Sequence, residues 1–268
     1  MPEIQQSEIT SAASGARQLG ARAHQLASQG RLTEALESAR KSVEQWRILA
    51  KQDSSNFLPE LARSLDRLAI FLARAEIAGE AFEAAKESVR HWRQLAAANL
   101  ERFGLELAGA LRRLAADALG LYPRDFLSMR EEATNVLLRL AAANPALLPE
   151  AAEDVSRVTE HFFGSSEHKK ALQYGRQEVE LWRVLAAKDL VQFGGGLVLA
   201  LRQLAVDQTT PNGVADKGPR KEARRVALSR FFRLLRESVR PKALGAVFTA
   251  VATGKALRPA RSPSHRRG

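Results

Sequence analysis

The chain has 268 residues, no cysteine and a formal net charge of +11 at pH 7. The lack of cysteine excludes disulfide bonds, thiolate nucleophiles and cysteine-ligated zinc or iron–sulfur sites. The basic character belongs to one end of the chain, because residues 1–216 have a net charge of −2 and residues 217–268 a net charge of +13.

The first residues, 1–15, are polar and lack an apolar core, which predicts a flexible N-terminus and no secretory signal. No stretch of about 18 apolar residues follows, so the sequence predicts no transmembrane helix. A hydrophobic fraction of 45% is typical of a chain that folds around a core. We therefore expect a cytoplasmic protein.

A repeat of 45 to 46 residues runs through residues 16–210. Its marker is a Trp-Arg pair followed by Leu-Ala, found at Trp46, Trp92 and Trp182, and a copy between the last two has Leu137 at the tryptophan position. Within each repeat, apolar residues recur every three or four positions, which predicts two antiparallel helices. Four repeats and part of a fifth are visible, and such pairs stack to bury their apolar faces. The predicted fold is all-α, an α-solenoid (superhelix) of helical hairpins.

The segment Gly30-Arg31-Leu32-Thr33-Glu34-Ala35-Leu36 resembles the turn and second-helix start of a tetratricopeptide repeat (TPR). The longer Trp-Arg phrase resembles a long-period, bacterial-type variant of that family, although HEAT-type helix pairs remain an alternative on repeat length. The resemblance implies a non-catalytic protein–protein interaction scaffold or adaptor. It also implies that a partner segment binds in a concave groove lined by the first helix of each repeat, with no cofactor and no small-molecule substrate.

Arginines occupy the first helix of the repeats where the long-period relatives carry an Asn-Asn pair. Because a guanidinium group suits carboxylate or phosphate, we expect the partner to offer an acidic segment or a C-terminal carboxylate. The alternative is that these arginines pair with acidic residues of neighbouring helices, such as Asp66, Asp117, Glu153 and Glu160. The candidate groove residues are Arg63, Arg67, Arg112, Arg113, Arg157 and Arg202.

Other features of the repeats predict structure rather than chemistry. The three tryptophans fall in the apolar stripe and are expected in the core, with the adjacent arginines at its solvent edge. The five histidines lack metal-ligand spacing, no catalytic motif is present, and we expect neither an enzyme nor a metal site. Gly194-Gly195-Gly196 is expected to loosen a turn between helices.

The C-terminal part divides into a predicted loop at 211–220, a basic amphipathic helix at 221–240 and a mostly disordered tail at 241–268. A helical wheel places Leu228 on the apolar face. Three interpretations of this region are open: it caps the solenoid as the second half of the fifth repeat, or it binds nucleic acid, or it binds an anionic membrane. The opposite, basic face carries Arg230, Arg233, Arg236 and Arg240.

Overall fold

The computed structural model describes residues 2–121, 123–164, 167–207 and 218–238. These residues form ten α-helices, one short 3₁₀ turn at Pro145–Leu147, and no strand. The helices are α1 (Pro2–Ser28), α2 (Leu32–Gln52), α3 (Ser54–Arg74), α4 (Ala78–Ala98), α5 (Leu100–Leu121), α6 (Pro123–Ala143), α7 (Leu148–Gly164), α8 (His168–Lys188), α9 (Leu190–Asp207) and α10 (Gly218–Ser238).

The chain divides into two compact units, an N-terminal unit of Met1–Ser166 and a C-terminal unit of Glu167–Gly268. The division falls inside the predicted repeat region of 16–210. Within each unit, every helix packs against the next one in the chain, α1 to α7 in the first and α8 to α10 in the second. The predicted fold class, an all-α solenoid built from TPR-like hairpins, is confirmed.

The turn between α1 and α2 identifies the two helices of a hairpin. Gly30 has a left-handed backbone with φ of 78°, and the N–H of Arg31 donates to the carbonyl of Leu26 at 3.0 Å. Glycine favours this conformation because it has no Cβ to clash, which ends α1 sharply. The predicted TPR turn therefore joins α1 to α2 as the first and second helices of a hairpin. By the repeat period, α3, α5, α7 and α9 stand at the positions in the sequence equivalent to α1, and we call them first helices.

Short polar caps separate each hairpin from the next. Asp53, for example, accepts the backbone N–H of Asn56 at 3.1 Å, which satisfies a free donor at the start of α3. The cap residues recur at the repeat period and are Asp53, Asn99, Asn144 and Asp189.

The N-terminus differs from the prediction, because α1 extends through the segment expected to be flexible. Small residues recur along α1 every three or four positions, and Ala13, Ala16 and Ala23 are buried. Their small size lets α1 pack closely on α2, and this packing stabilises a helix whose overall composition is polar. The part of the segment 1–15 that the structure describes is therefore helical from Pro2 onward.

The repeated tryptophans occupy the core. Trp46 and Trp92 are buried, and their rings lie 6.0 and 6.2 Å from those of Phe57 and Phe103, the first phenylalanines of the following hairpins. The core prediction is confirmed for both. Trp182 is only partly buried and packs against the core of the C-terminal unit.

The glycine triplet lies inside α9 rather than in a turn, so the turn prediction is wrong. At Gly196, an added Cβ would lie 2.6 Å from two carbon atoms of the Trp182 ring, and at Gly195 it would lie 2.8 Å from Nη1 of Arg230. The glycines therefore permit α8 and α10 to approach the backbone of α9 closely.

The last helix, α10, packs on α9 as the second helix of the fifth hairpin. It begins at Gly218, so the last three residues of the predicted loop at 211–220 are helical. The predicted faces are also wrong at two positions: Leu228 is 55% exposed, whereas Arg230 is half-buried and its Nε donates to the carbonyl of Val191 at 2.9 Å. Arg233 is exposed. The side chain of Arg236, residue Arg240 and the predicted tail at 241–268 lie outside what the structure describes.

Candidate functional site

Ion pairs join the first helices of successive hairpins in the N-terminal unit. Arg63 on α3 lies 3.6 Å from Glu106 on α5, and Arg112 on α5 lies 2.8 Å from Glu150 on α7. The faces of α3, α5 and α7 that carry the predicted arginines are thus adjacent. We call the surface that they form with α1 the groove.

Asp66 connects three side chains beneath this surface. Its Oδ2 accepts hydrogen bonds from Nε1 of Trp92 at 3.0 Å and pairs with Nη2 of Arg113 at 2.8 Å. Its Oδ1 accepts a hydrogen bond from Oγ of Ser88 at 2.8 Å. Arg113 is therefore held by the protein itself, as the ion-pairing alternative expects.

Arg63, Arg112 and Arg157 are also engaged with carboxylates. Besides the contacts between helices, Arg63 lies 3.3 Å from Glu60 on its own helix and its guanidinium carbon lies 5.9 Å from the centre of the Trp92 ring. Arg157 pairs with Glu153, one turn earlier in α7, at 3.4 Å. Four of the six predicted groove arginines thus have partners within the chain.

Arg67 and Arg202 differ from the other four. Both are exposed, and no described carboxylate lies within 4 Å of either guanidinium group. Arg67 extends over Gly20 of α1, where an added Cβ would lie 3.6 Å from its Nη1. Arg202 belongs to α9 in the C-terminal unit, whereas the other five belong to the N-terminal unit.

A cleft of about 370 Å³ opens between α3, α4 and α5, one turn beyond Arg67. Its wall includes Ile70, which is 42% exposed, and methyl groups of alanines from all three helices. Burial raises the pKa of the Asp117 carboxyl at its edge, although nearby Arg113 opposes the shift. The cleft is lined by Ala69, Ile70, Ala73, Arg74, Ala85, Arg113, Ala116 and Asp117.

A second set of ion pairs, not anticipated from the sequence, joins the second helices of successive hairpins. The arginine after each repeat tryptophan contacts a glutamate 39 or 40 residues later, at 2.6 Å in every case. A glutamate recurring every 45 residues was the available signal, and the third copy in chain order has Leu138 and Gln177 in place of the pair. The pairs are Arg47–Glu87, Arg93–Glu132 and Arg183–Glu222.

The described residues offer no cluster of His, Asp and Glu side chains that could hold a metal ion. His91 is largely buried, and desolvation lowers its pKa, with Arg90 adding to the shift and Glu87 opposing it. None of the described helices is long and apolar enough to cross a membrane.

No family model and no curated protein matches the chain. Among solved structures, the chain is similar to a Podosopora anserina protein with kinesin light chain nearly identical TPR-like repeats, at 18% identity and a TM-score of 0.48, over 84% of this chain and 97% of that one. It is similar to BtubC (BKLC) from P. vanneervenii at 13% identity and a TM-score of 0.41, over 98% of each chain. It is similar to MamA protein at 15% identity and a TM-score of 0.39, over 91% of this chain and 98% of that one. The chain has an all-α, TPR-like helical repeat fold.

Proposed function

We propose that the N-terminal unit is a protein–protein interaction scaffold whose groove binds a segment of a partner protein and catalyses no reaction. The observation that carries the proposal is the position of Arg67, an exposed cation without a partner among the described residues, beside the apolar cleft at Ile70. Binding sites for protein segments combine these two features, a pocket for an apolar anchor and a charged group that orients it.

The chemistry of this surface favours a partner segment with an aliphatic side chain followed or preceded by an acidic group. The alanine methyls and Ile70 offer apolar contact to the side chain, while Arg67 offers a planar pair of donors to a carboxylate. Arg63, Arg112, Arg113 and Arg157 contribute less to this recognition, because each of them already pairs with a carboxylate of the chain, whereas Arg67 pairs with none that the structure describes.

Site-directed photo-crosslinking in cells tests the proposal. A photoreactive phenylalanine analogue is placed at Ile70 in the groove or, as a matched control, at Ile48, which is 52% exposed on α2. We expect a protein crosslinked specifically from position 70, and we expect the additional substitution Arg67→Ala to reduce its yield severalfold. Equal crosslinking from both positions, or a yield that Arg67→Ala leaves unchanged, would contradict the proposal.

A second candidate function is binding of a polyanion, either nucleic acid or an anionic membrane, through the outer face of α10. The exposed cations of this helix support it, together with the exposed Leu228. Replacing Lys221 and Arg224 by glutamine should weaken retention on DNA or on phosphatidylserine vesicles and reduce its salt dependence. Retention unchanged by the substitutions would exclude this face. The exposed cations are Arg220, Lys221, Arg224, Arg225 and Arg233.

A further inference from the structure

One junction between hairpins, that of α6 with α7, differs from the others at three equivalent positions. The first position lies on the second helix of the hairpin, and its residue is small in every junction but this one. In the four junctions it is Ala39, Ala85, Arg130 and Gly175. The next, one turn later, is Val43, Val89, Thr134 and Val179. The third, on the following first helix, is Ser64, Ala110, Asp154 and Ala200. Arginine, threonine and aspartate thus replace small or apolar residues together at a single place.

The structure brings the three replacements into contact. Oγ1 of Thr134 donates to Oδ2 of Asp154 at 2.8 Å, and the Asp154 side chain is completely buried. Its other oxygen, Oδ1, lies 3.3 Å from Nε of Arg112, 3.8 Å from Nη1 of Arg157 and 3.9 Å from Nη1 of Arg130. Three guanidinium groups from α5, α6 and α7 therefore converge on one buried carboxylate.

This cluster leaves hydrogen-bonding capacity unused. Oδ1 of Asp154 and the Nε atoms of Arg112 and Arg130 are buried without a hydrogen-bond partner. Burial lowers the pKa of Arg130. The Asp154 carboxylate opposes this shift, whereas repulsion from Arg157 and Arg112 adds to it. Buried charges with unsatisfied atoms are less favourable than the small residues at the equivalent positions. The other three junctions pack without this arrangement, so its cost in stability calls for a functional explanation.

The cluster is open to the surface on one side. The exposed fraction of the side chains rises from 0% at Asp154 through 13% at Arg130 and 24% at Arg112 to 51% at Arg157. On the outer side, the exposed Glu150 and Glu153 contact Arg112 and Arg157. Each guanidinium group carries five N–H donors in one plane, so most donors in the cluster remain available to an anion that enters here.

We propose that the α6–α7 junction is a binding site for a single oxyanion, either a carboxylate or a phosphate. Arg112, Arg130 and Arg157 donate to the anion. Asp154 acts as a positioning residue that holds the three guanidinium groups together, and Glu150 and Glu153 occupy their outer donors until the anion displaces them. The inference goes beyond the proposed function, because an inorganic anion alone can fill the site without any partner protein.

The test is titration of the full chain with inorganic phosphate or with acetate, at constant ionic strength in sodium chloride, followed through the arginine Nε–H resonances by NMR. We expect saturable shifts at Arg112 and Arg130 that chloride does not produce. Arg130→Ala should weaken binding about tenfold, and the double substitution of Glu150 and Glu153 by glutamine should strengthen it severalfold. Arg183→Ala, at an arginine paired with Glu222 in the C-terminal unit, is the matched control and should leave binding unchanged.

A combined variant separates binding from folding. Arg130→Ala, Thr134→Val and Asp154→Ala together restore the residues found at the α4–α5 junction, namely Ala85, Val89 and Ala110. We expect this variant to keep a Tm at least equal to that of the native protein and to lose the anion response.

The anion that binds identifies the source of the charge. Saturation by acetate indicates a carboxylate as ligand, and saturation by phosphate alone indicates a phosphate. The absence of saturable shifts with either anion would overturn the proposal, as would a combined variant that still binds or that unfolds because the cluster is required for stability.

Discussion

Asp66 provides a quantitative test of the buried hydrogen bond that it accepts from the indole of Trp92. Substitution by alanine removes the acceptor for the indole N–H of the fully buried Trp92 and the counter-charge of Arg113. It does not leave Ser88 without an acceptor, because the single O–H of Ser88, which Asp66 shares with the carbonyl of Ala62 3.0 Å away, can then donate to that carbonyl alone.

The expected loss follows from these contacts. A buried donor left without an acceptor costs about 1–3 kcal/mol. The ion pair with Arg113 adds at most about 1 kcal/mol, since the arginine side chain is partly exposed. We expect Asp66→Ala to lower the free energy of unfolding by about 1–4 kcal/mol in total.

Urea denaturation followed by far-ultraviolet circular dichroism measures this loss, and NMR exchange of the Trp92 indole proton localises it. Arg113→Ala is the matched control, because it removes the ion pair while the hydrogen bond to Trp92 remains, and it should cost about 1 kcal/mol or less. If Arg113→Ala were as destabilising as Asp66→Ala, or if the indole proton exchanged at the native rate in the Asp66 variant, the assignment of the energy to the buried hydrogen bond would be refuted.

Two further predictions concern packing and pH. Gly196→Ala should destabilise the protein by about 1–2 kcal/mol in urea denaturation, because the clash with the Trp182 ring exceeds the gain in helix propensity. Gly79→Ala is the control and should be neutral or stabilising, because the space around Gly79 is open. Burial and the adjacent Arg90 hold the pKa of His91 below its usual 6.5, so the unfolded chain binds a proton before the folded one does. Stability should therefore fall as the pH drops below about 6.5, and His91→Gln should remove that part of the decline; an identical pH profile for the variant would contradict this.

The repeat and the helices could be predicted from the sequence because they depend on local spacing. The period of the Trp-Arg phrase, the turn at Gly30 and the apolar stripe around Trp46 and Trp92 each reflect contacts within one hairpin or between adjacent ones. The predictions that were wrong concern residues whose environment is set by another helix. The glycine triplet was predicted to be a turn because the sequence does not show that the Trp182 ring packs against Gly196. Arg230 was predicted to face solvent because the sequence does not show that the glycines of α9 leave room for its side chain.

The candidate site shows the same division. The sequence was sufficient to identify arginines on the first helix of the repeats, since residue type and register are local properties. It could not distinguish Arg67, which lacks a carboxylate among the described residues, from Arg113, which Asp66 holds from a neighbouring helix. The contribution of Arg130 was also missed, because its significance depends on Asp154, which lies 24 positions further along the chain.

The amino-acid sequence alone determines that this protein is an all-α repeat chain with a nearly neutral body and a basic end. It does so because helical periodicity and charge composition can be read from residues that are close together in the chain. Only the tertiary structure decided which charges are neutralised and which remain open to a ligand. The physical reason is that a salt bridge depends on distances of a few ångströms between side chains about 40 residues apart, and packing alone determines those distances.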